Sequence, residues 1–327
     1  MPKKIVVSLC DGMSCGAIAL DRLGLMDNDL EYHAFEIDKY AEAVSRMNYP
    51  EAIRHGDARN YTKLIGKDVF LLMGGFPCQP YSVAGQGKGE NDERDLSTLI
   101  FDALRDLKPK YFLFENVPMK AEDEERITMG IIEAYGGQDA GHAYMINSQD
   151  FSAHHRKRLY WTNIPVAPYK DKGIVLSDII EDGMVDRDKS YCIDANYFKG
   201  GSMKMYYEKA RRQLVFDTKG CHQVGEADLK GYDIIKRVYS TSGKAPALTT
   251  MQGGWRQPKI ATDELHWRNL TPLECERLQT VPDYYTNYGL FEEGGSFTPI
   301  SNSQRYKMLG NGWTVDVIQH IMEGMEI

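Results

Sequence analysis

The stretch richest in chemistry is Gly74-Gly75-Phe76-Pro77-Cys78-Gln79-Pro80-Tyr81-Ser82, which ends the apolar run 69–73. A thiol held between two prolines at the end of a buried strand stands at the carboxyl edge of a sheet, where α/β proteins place their ligands. A core cysteine needs no rigid loop around it. A free thiol has a pKa of about 8.5 and is only a few per cent thiolate at neutral pH, so chemistry at Cys78 requires positive charge or a helix dipole close by. Gly85, Gly87 and Gly89, set among polar neighbours, make 79–95 read as a lid that closes.

Residues 110–118 repeat the design: an apolar strand, then Glu115 and Asn116 at its end. Neighbouring strands would bring Glu115 near Cys78. Burial at such an edge raises a glutamate's pKa, so the group can stay protonated and donate. In Ser152-Ala153-His154-His155-Arg156-Lys157-Arg158, the two-residue strand period puts Arg156 and Arg158 on one face. They read either as a solvated basic edge or as two guanidiniums that stabilise a thiolate and bind an anionic group.

A second constellation lies near the start. Leu9-Cys10-Asp11-Gly12-Met13-Ser14-Cys15-Gly16 is a glycine turn between a strand and a helix, where free N–H groups meet a ligand. Glu36 follows at the end of the second strand, a position from which a carboxylate accepts hydrogen bonds from a ribose. Asp57, in His55-Gly56-Asp57-Ala58, is placed to take an adenine amino group. This ordered trio points to an adenosine-bearing cofactor. The absence of Gly-x-Gly-x-x-Gly argues against a pyrophosphate cradle and against a nicotinamide oxidoreductase.

The elements that must position these groups are legible from periodicity. Residues 5–9, 32–37, 69–73, 111–114 and 158–163 read as strands, and 39–47, 96–107 and 314–325 as helices, the first of these capped by Asp38. Strands alternating with helices imply an α/β fold, doubly wound around a mainly parallel sheet. From 166 to 262 the periodicity breaks down, which implies a smaller, irregular second domain. Thr271-Pro272-Leu273-Glu274 then forms a capping box, and residues 263–327 return to complete the first domain, which spans 1–165. The chain has 327 residues, 42% hydrophobic and 26% charged, enough for a large core and too ordered in composition for a disordered chain. No apolar run nears the roughly 20 residues that span a bilayer. Six cysteines without a Cys-x-x-Cys pair read as reduced thiols of a cytoplasmic protein. Net charge is −8, but residues 199–262 hold 12 Lys and Arg against 5 Asp and Glu, a local +7 that leaves −15 elsewhere. One part of the molecule is therefore built to meet a polyanion.

Taken together, these motifs resemble the cytosine-5 DNA methyltransferase family over nearly the whole chain and in the family's order. Residues 74–85 resemble its catalytic loop, Glu115-Asn116-Val117 its second catalytic element, and Arg156-Lys157-Arg158 its Gln-x-Arg-x-Arg element. Residues 268–277 resemble the helix that supports the recognition domain, Gly310-Asn311-Gly312-Trp313 the late cofactor-binding turn, and 237–243 with 245–250 the recognition core of bacterial and phage members. Ser152 to Arg158, with Trp313, is closer to the animal de novo methyltransferases. Three positions depart from the family: Cys10 replaces phenylalanine, His154 glutamine and Ala247 threonine.

The resemblance implies a Rossmann-like methyltransferase domain with a target-recognition domain. It implies S-adenosylmethionine as donor, S-adenosylhomocysteine as product, and no metal. Cofactor contacts carried over by motif are Cys10, Asp11, Gly12, Met13, Glu36, Ile37, Asp57, Ala58, Phe76, Leu99, Asn311 and Trp313. Catalysis falls to Cys78, Glu115, Arg156 and Arg158, and DNA contacts to Gln79, Ser82, Arg237, Ser240, Thr249 and Thr250. The implied substrate is a cytosine flipped out of double-stranded DNA. The implied agent is a monomer without membrane contact, in a bacterial or phage-infected cell, with a cognate restriction endonuclease in restriction systems. An RNA cytosine-5 methyltransferase shares the Pro-Cys and Glu-Asn-Val elements, and the long recognition region favours DNA over it. A catalytically dead DNA-binding regulator would tolerate loss of Cys78, Glu115 or Arg158, and all three are present.

Overall fold

The computed structural model describes residues 3–27, 29–77, 96–137, 142–200, 203–216, 223–226, 237–240, 259–261, 267–292 and 294–326. The first segment lays down β1 (Lys4–Leu9), α1 (Cys15–Arg22), β2 (Leu30–Phe35), α2 (Lys39–Asn48), β3 (Ile53–Arg54) and β4 (Val69–Gly75). Then come α3 (Ser97–Leu107), β5 (Tyr111–Asn116), α4 (Ala121–Tyr135), β6 (His142–Asn147) and β7 (Lys157–Thr162). A single seven-stranded sheet runs in the order β3-β2-β1-β4-β5-β7-β6. Its first five strands are parallel, and β7 pairs antiparallel with both β5 and β6. This is the mainly parallel, doubly wound α/β sheet expected from the sequence. The structure adds β3, β6 and α4 to the expected elements; β3 is a two-residue edge and β6 a short, mixed-polarity strand.

The sheet is buried on both faces, as parallel sheets are, so its strands are continuous apolar runs rather than alternating ones. Successive side chains feed opposite layers. Tyr111 and Leu113 join the cluster under α1 and α2, whereas Phe112 and Phe114 join the one under α3 and α4. Burying each such side chain contributes about 1.5–3 kcal/mol.

The middle of the chain carries α5 (Leu176–Ile179), α6 (Met203–Lys209) and short strands. Leu214–Phe216 pairs antiparallel with Trp267–Asn269, and Gln223–Glu226, Arg237–Ser240 and Lys259–Ala261 form a separate three-stranded sheet. The chain then returns through α7 (Pro272–Leu278), α8 (Asn302–Asn311) and α9 (Val315–Met322). The capping box forms as the sequence predicts: Thr271 Oγ1 accepts from the Glu274 N–H, and Glu274 Oε2 accepts from the Thr271 N–H. Glu274 is fully buried, and Arg268 neutralises it at 2.8 Å. Val315, Val317, Ile318 and Ile321 of α9 bury against the α1 layer, which joins the last helix to the first strand-helix unit. Among the described residues no helix is long and apolar enough to cross a membrane.

Candidate active site

Strand order reverses between β1 and β4, and ligands bind at the carboxyl ends of such a crossing. Parallel register brings four strand ends, those of β2, β1, β4 and β5, to that edge. Leu9 pairs with Phe35 and with Gly74, and Gly75 pairs with Glu115. The next residues along β1 and β2 are Cys10 and Glu36.

The turn after β1 places Cys10, Gly12 and Ser14 in the left-handed region, at φ 53°, 60° and 66°. For the non-glycine residues this conformation costs of order 1–3 kcal/mol, and such outliers persist where surrounding structure enforces them. The enforcing groups are two carboxylates. Asp11 is buried; its Oδ1 accepts from Tyr32 at 2.6 Å and its Oδ2 from Ser14. Burial pushes the Asp11 carboxyl up, while hydroxyls of Ser14, Ser8 and Tyr32 oppose that shift. Glu36 accepts N–H groups from Gly12 at 2.8 Å, Ile37 at 2.8 Å and Asp38 at 2.7 Å. Burial raises the Glu36 carboxyl as well, against the pull of those same amides.

On the other side of the edge, Arg158 Nε sits 2.8 Å from Glu115 Oε1, both side chains largely buried. Trp313 Nε1 donates to Glu115 Oε2 at 3.1 Å. From burial alone the sequence predicts a protonated, donating glutamate; the structure instead surrounds Glu115 with an ion pair and an indole donor, and uses both oxygens as acceptors. A Cβ on Gly75 would lie 2.7 Å from the indole nitrogen and 3.2 Å from Glu115 Oε2. The second glycine of the loop is thus required by the hydrogen bond that passes over it.

Arg156 does not share the task of Arg158. Its guanidinium is buried and donates to the carbonyls of Gly312 at 2.8 Å, Gly310 at 3.2 Å and Ile193 at 3.3 Å. Rather than presenting charge to a substrate anion, it anchors the turn at 310–313 to the middle segment. β7 begins only at Lys157, so Arg156 lies before the strand.

These groups line one cavity of about 230 Å³. Of the residues predicted to hold the cofactor, Cys10, Asp11, Gly12, Glu36, Phe76, Asn311 and Trp313 line it, together with Glu115, Arg156 and Arg158. Pro77, one peptide bond before Cys78, lines it too. Ala58 and Phe76 lie in the apolar cluster on which Cys10 and Leu99 pack. Ile37 is 78% exposed beside Glu36. Met13 points into the core, its carbonyl accepting from Tyr285 at 2.8 Å. Asp57 caps the turn of 3₁₀-helix Ala58–Leu64, and its carboxylate binds the N–H and guanidinium of Arg59, each at 2.8 Å. Cys78, Gln79, Ser82, Thr249, Thr250, Ala247 and the lid 79–95 lie outside the described residues. Arg237 and Ser240 belong to a described strand, but their side chains lie outside the description. Asp38 and Met308 also line the cavity, and the sequence reading did not single them out as ligand residues. Among the described residues no cluster of side chains has the makings of a metal site.

Comparison with known proteins follows the same outline. A family model described as C-5 cytosine-specific DNA methylase matches residues 5–326. The orphan methyltransferase M.SPBetaI of Bacillus phage SPbeta is 28% identical, over 99% of this chain and 97% of its own length. The type II methyltransferase M.HhaI of Haemophilus parahaemolyticus is 27% identical, over 88% of this chain and 84% of its own. Among solved structures, the Entamoeba histolytica methyltransferase EhMeth superposes with a TM-score of 0.65 at 15% identity, over 99% of this chain and 98% of that one. A Spodoptera frugiperda DNMT2 variant superposes with a TM-score of 0.61 at 19% identity, over 98% and 99%. At those identities the structures speak for the fold.

Proposed function

The chain belongs to the C-5 cytosine-specific DNA methylase family, and from that premise we propose that it methylates carbon 5 of a cytosine flipped out of double-stranded DNA, through a covalent adduct on Cys78. The observation that carries the reading is the cavity at the β1–β4 crossing, which joins a carboxylate suited to a ribose to a buried carboxylate–guanidinium pair suited to a base.

The cavity's residues fit S-adenosylmethionine. Glu36, held by three amides, two of them on Oε1, retains one lone pair on Oε2 for a ribose hydroxyl. The exposed Ile37 and the apolar Cys10–Phe76 side offer faces for an adenine ring. Asp57 and Ala58 would serve its edge, and Asn311 and Trp313 would close the methionine end. When bound, S-adenosylmethionine supplies a sulfonium-activated methyl group for carbon 5 and leaves as S-adenosylhomocysteine.

The protein's own groups do the remaining work. Cys78, as thiolate, adds to carbon 6 of cytosine, and the electron pair moves toward carbon 5 and nitrogen 3. Glu115 accepts from the amino group, and from nitrogen 3 once that atom takes up a proton as negative charge reaches it, with Arg158 and Trp313 fixing the carboxylate's two oxygens. After methyl transfer a base removes the carbon-5 proton, and the Cys78 sulfur is expelled. Three other thiols are poor rivals: burial pushes Cys10 and Cys15 up to about 12, and Cys275 far above its ordinary value. Flipping costs roughly a few kcal/mol, met by the lid 79–95 closing on the base and by residues 199–262, which read the target sequence and neutralise phosphates. In this reading the domains divide at 165 and 262. The enzyme acts as a monomer, alone or beside a cognate endonuclease.

Bisulfite sequencing of DNA and RNA from cells expressing the protein tests the reading, since it reports activity, context and polymer at once. Methylated cytosine in a recurring DNA context, absent with Cys78→Ser, is expected. Methylation confined to RNA would replace DNA with the RNA reading, which shares the same adduct chemistry.

A further inference from the structure

Behind Trp313 lies a buried polar cluster that the reaction scheme does not use. Thr314 is the N-cap of α9, yet its hydroxyl makes no cap hydrogen bond, although satisfying a helix amide is the usual role of an N-cap threonine. The hydroxyl is instead enclosed by three partners: Gln279 Oε1 at 2.8 Å, Ser148 Oγ at 2.9 Å and His154 Nε2 at 3.3 Å. All four residues are buried.

Proton counting sets the direction of every bond. Gln279 Nε2 donates to the carbonyls of Leu309 at 2.6 Å and Gly312 at 3.1 Å, so its oxygen faces Thr314. A hydroxyl has one proton and two lone pairs. Thr314 must give its proton to Gln279, and must then accept from Ser148 and from an Nε2–H of His154. His154 is thus the neutral Nε2–H tautomer, and its Nδ1 has no partner among the described residues. Burial, then the charges of Arg156 and Arg158, keeps that ring from protonating. Gln279 completes the grip through its backbone carbonyl, which accepts the Val315 N–H at 3.0 Å. The carbonyl of Gly312 receives both Gln279 and Arg156. Trp313 sits between the two clamped residues, and its indole reaches Glu115.

We infer that Thr314 is a positioning residue for catalysis: with Gln279, Ser148 and His154 it fixes the backbone on both sides of Trp313 and so aims the indole that orients Glu115. The inference rests on the proposed role of Glu115, and the test separates the two. Thr314→Val keeps the shape and removes the hydroxyl, whereas Thr314→Ser restores it. The readouts are the indole ¹⁵N–¹H resonance of Trp313, assigned by its loss in Trp313→Phe, and the rate of covalent trapping by duplex DNA carrying 5-fluorocytosine. Losing one aimed hydrogen bond to a charged acceptor predicts a trapping rate lower by about tenfold or more in Thr314→Val. The indole resonance should shift, and both should recover in Thr314→Ser. If Thr314→Val does not fold, Ser148→Ala, which deletes one donor to the same hydroxyl, should move both readouts the same way. An unmoved resonance and wild-type trapping in a folded Thr314→Val or Ser148→Ala would overturn the positioning role. Wild-type trapping in Glu115→Gln would instead overturn the role given to Glu115.

Discussion

The indole of Trp313 donates to Glu115 across 198 residues of sequence, at 3.1 Å, with Gly75 packed against both partners. This contact joins the turn predicted to hold the cofactor to the carboxylate predicted to hold the base. Replacing Trp313 with Phe keeps the ring and removes the donor. A hydrogen bond to a charged group is worth about 1.5–3 kcal/mol, so single-turnover methylation should slow by about ten- to a hundredfold. The melting temperature should change little; an unchanged rate would show that the indole does not orient Glu115.

Gly75→Ala attacks the same contact from below. Its Cβ would overlap the indole nitrogen at 2.7 Å. The methyl must displace Trp313 or Glu115, so turnover should fall by at least the Trp313→Phe factor, with far-UV dichroism intact. Equal activity would mean that the strand end moves aside at no cost.

The two arginines should separate cleanly. Arg156→Lys cannot reach carbonyls on two segments at once, and each buried acceptor left bare costs about 1–3 kcal/mol. A lowered melting temperature and weaker cofactor binding are expected, measured by calorimetry. Arg158→Lys faces one carboxylate, so turnover should drop with a smaller thermal effect. The reverse pattern would exchange the roles assigned to them.

Cofactor affinity should respond to Glu36. Glu36→Ala removes its ribose hydrogen bond, worth about 1.5–3 kcal/mol, or roughly ten- to a hundredfold in Kd. Because burial raises this carboxyl, the wild-type affinity should begin to weaken on acidification at a higher pH than an ordinary carboxylate would allow. Titration calorimetry across pH 5–8, compared with Glu36→Gln, checks both statements.

Stability should fall in acid for a separate reason. His154 is held neutral, its pKa far below the ordinary 6.5, first by burial. The unfolded chain takes a proton near pH 6.5 and the folded chain does not. Stability is therefore full above that value and is lost as pH falls below it, by up to about 1.4 kcal/mol per pH unit for each such histidine. His33 and His55 shift in the same direction, again through burial. Denaturant unfolding between pH 5 and 7 should show this slope, and His154→Gln should remove one proton's share. An unchanged slope in that variant would place the acid sensitivity elsewhere.

Much of this molecule was readable from the chain alone, and for a physical reason. A parallel sheet covered on both faces demands continuous apolar strands, and residues 69–73 and 111–114 have no other way to be buried. Caps and turns are local, so Asp38 and the Thr271–Glu274 box form where their residue types require. The ligand edge then follows from strand ends, which is why Cys10, Glu36 and Glu115 meet. What the sequence could not decide was how each charged side chain would be spent. Arg156 and Arg158 stand two residues apart with equal prospects, yet one is consumed by the carbonyls of the 310–312 turn and the other by Glu115. Asp57 binds Arg59, and Thr314 gives up its cap to a buried cluster. Those outcomes depend on which partner a group finds within about 3 Å: Asp57 meets Arg59 on its own turn, whereas Arg156 meets the 310–312 turn and Thr314 meets Ser148 and His154 from segments more than a hundred residues away, which only tertiary packing brings together.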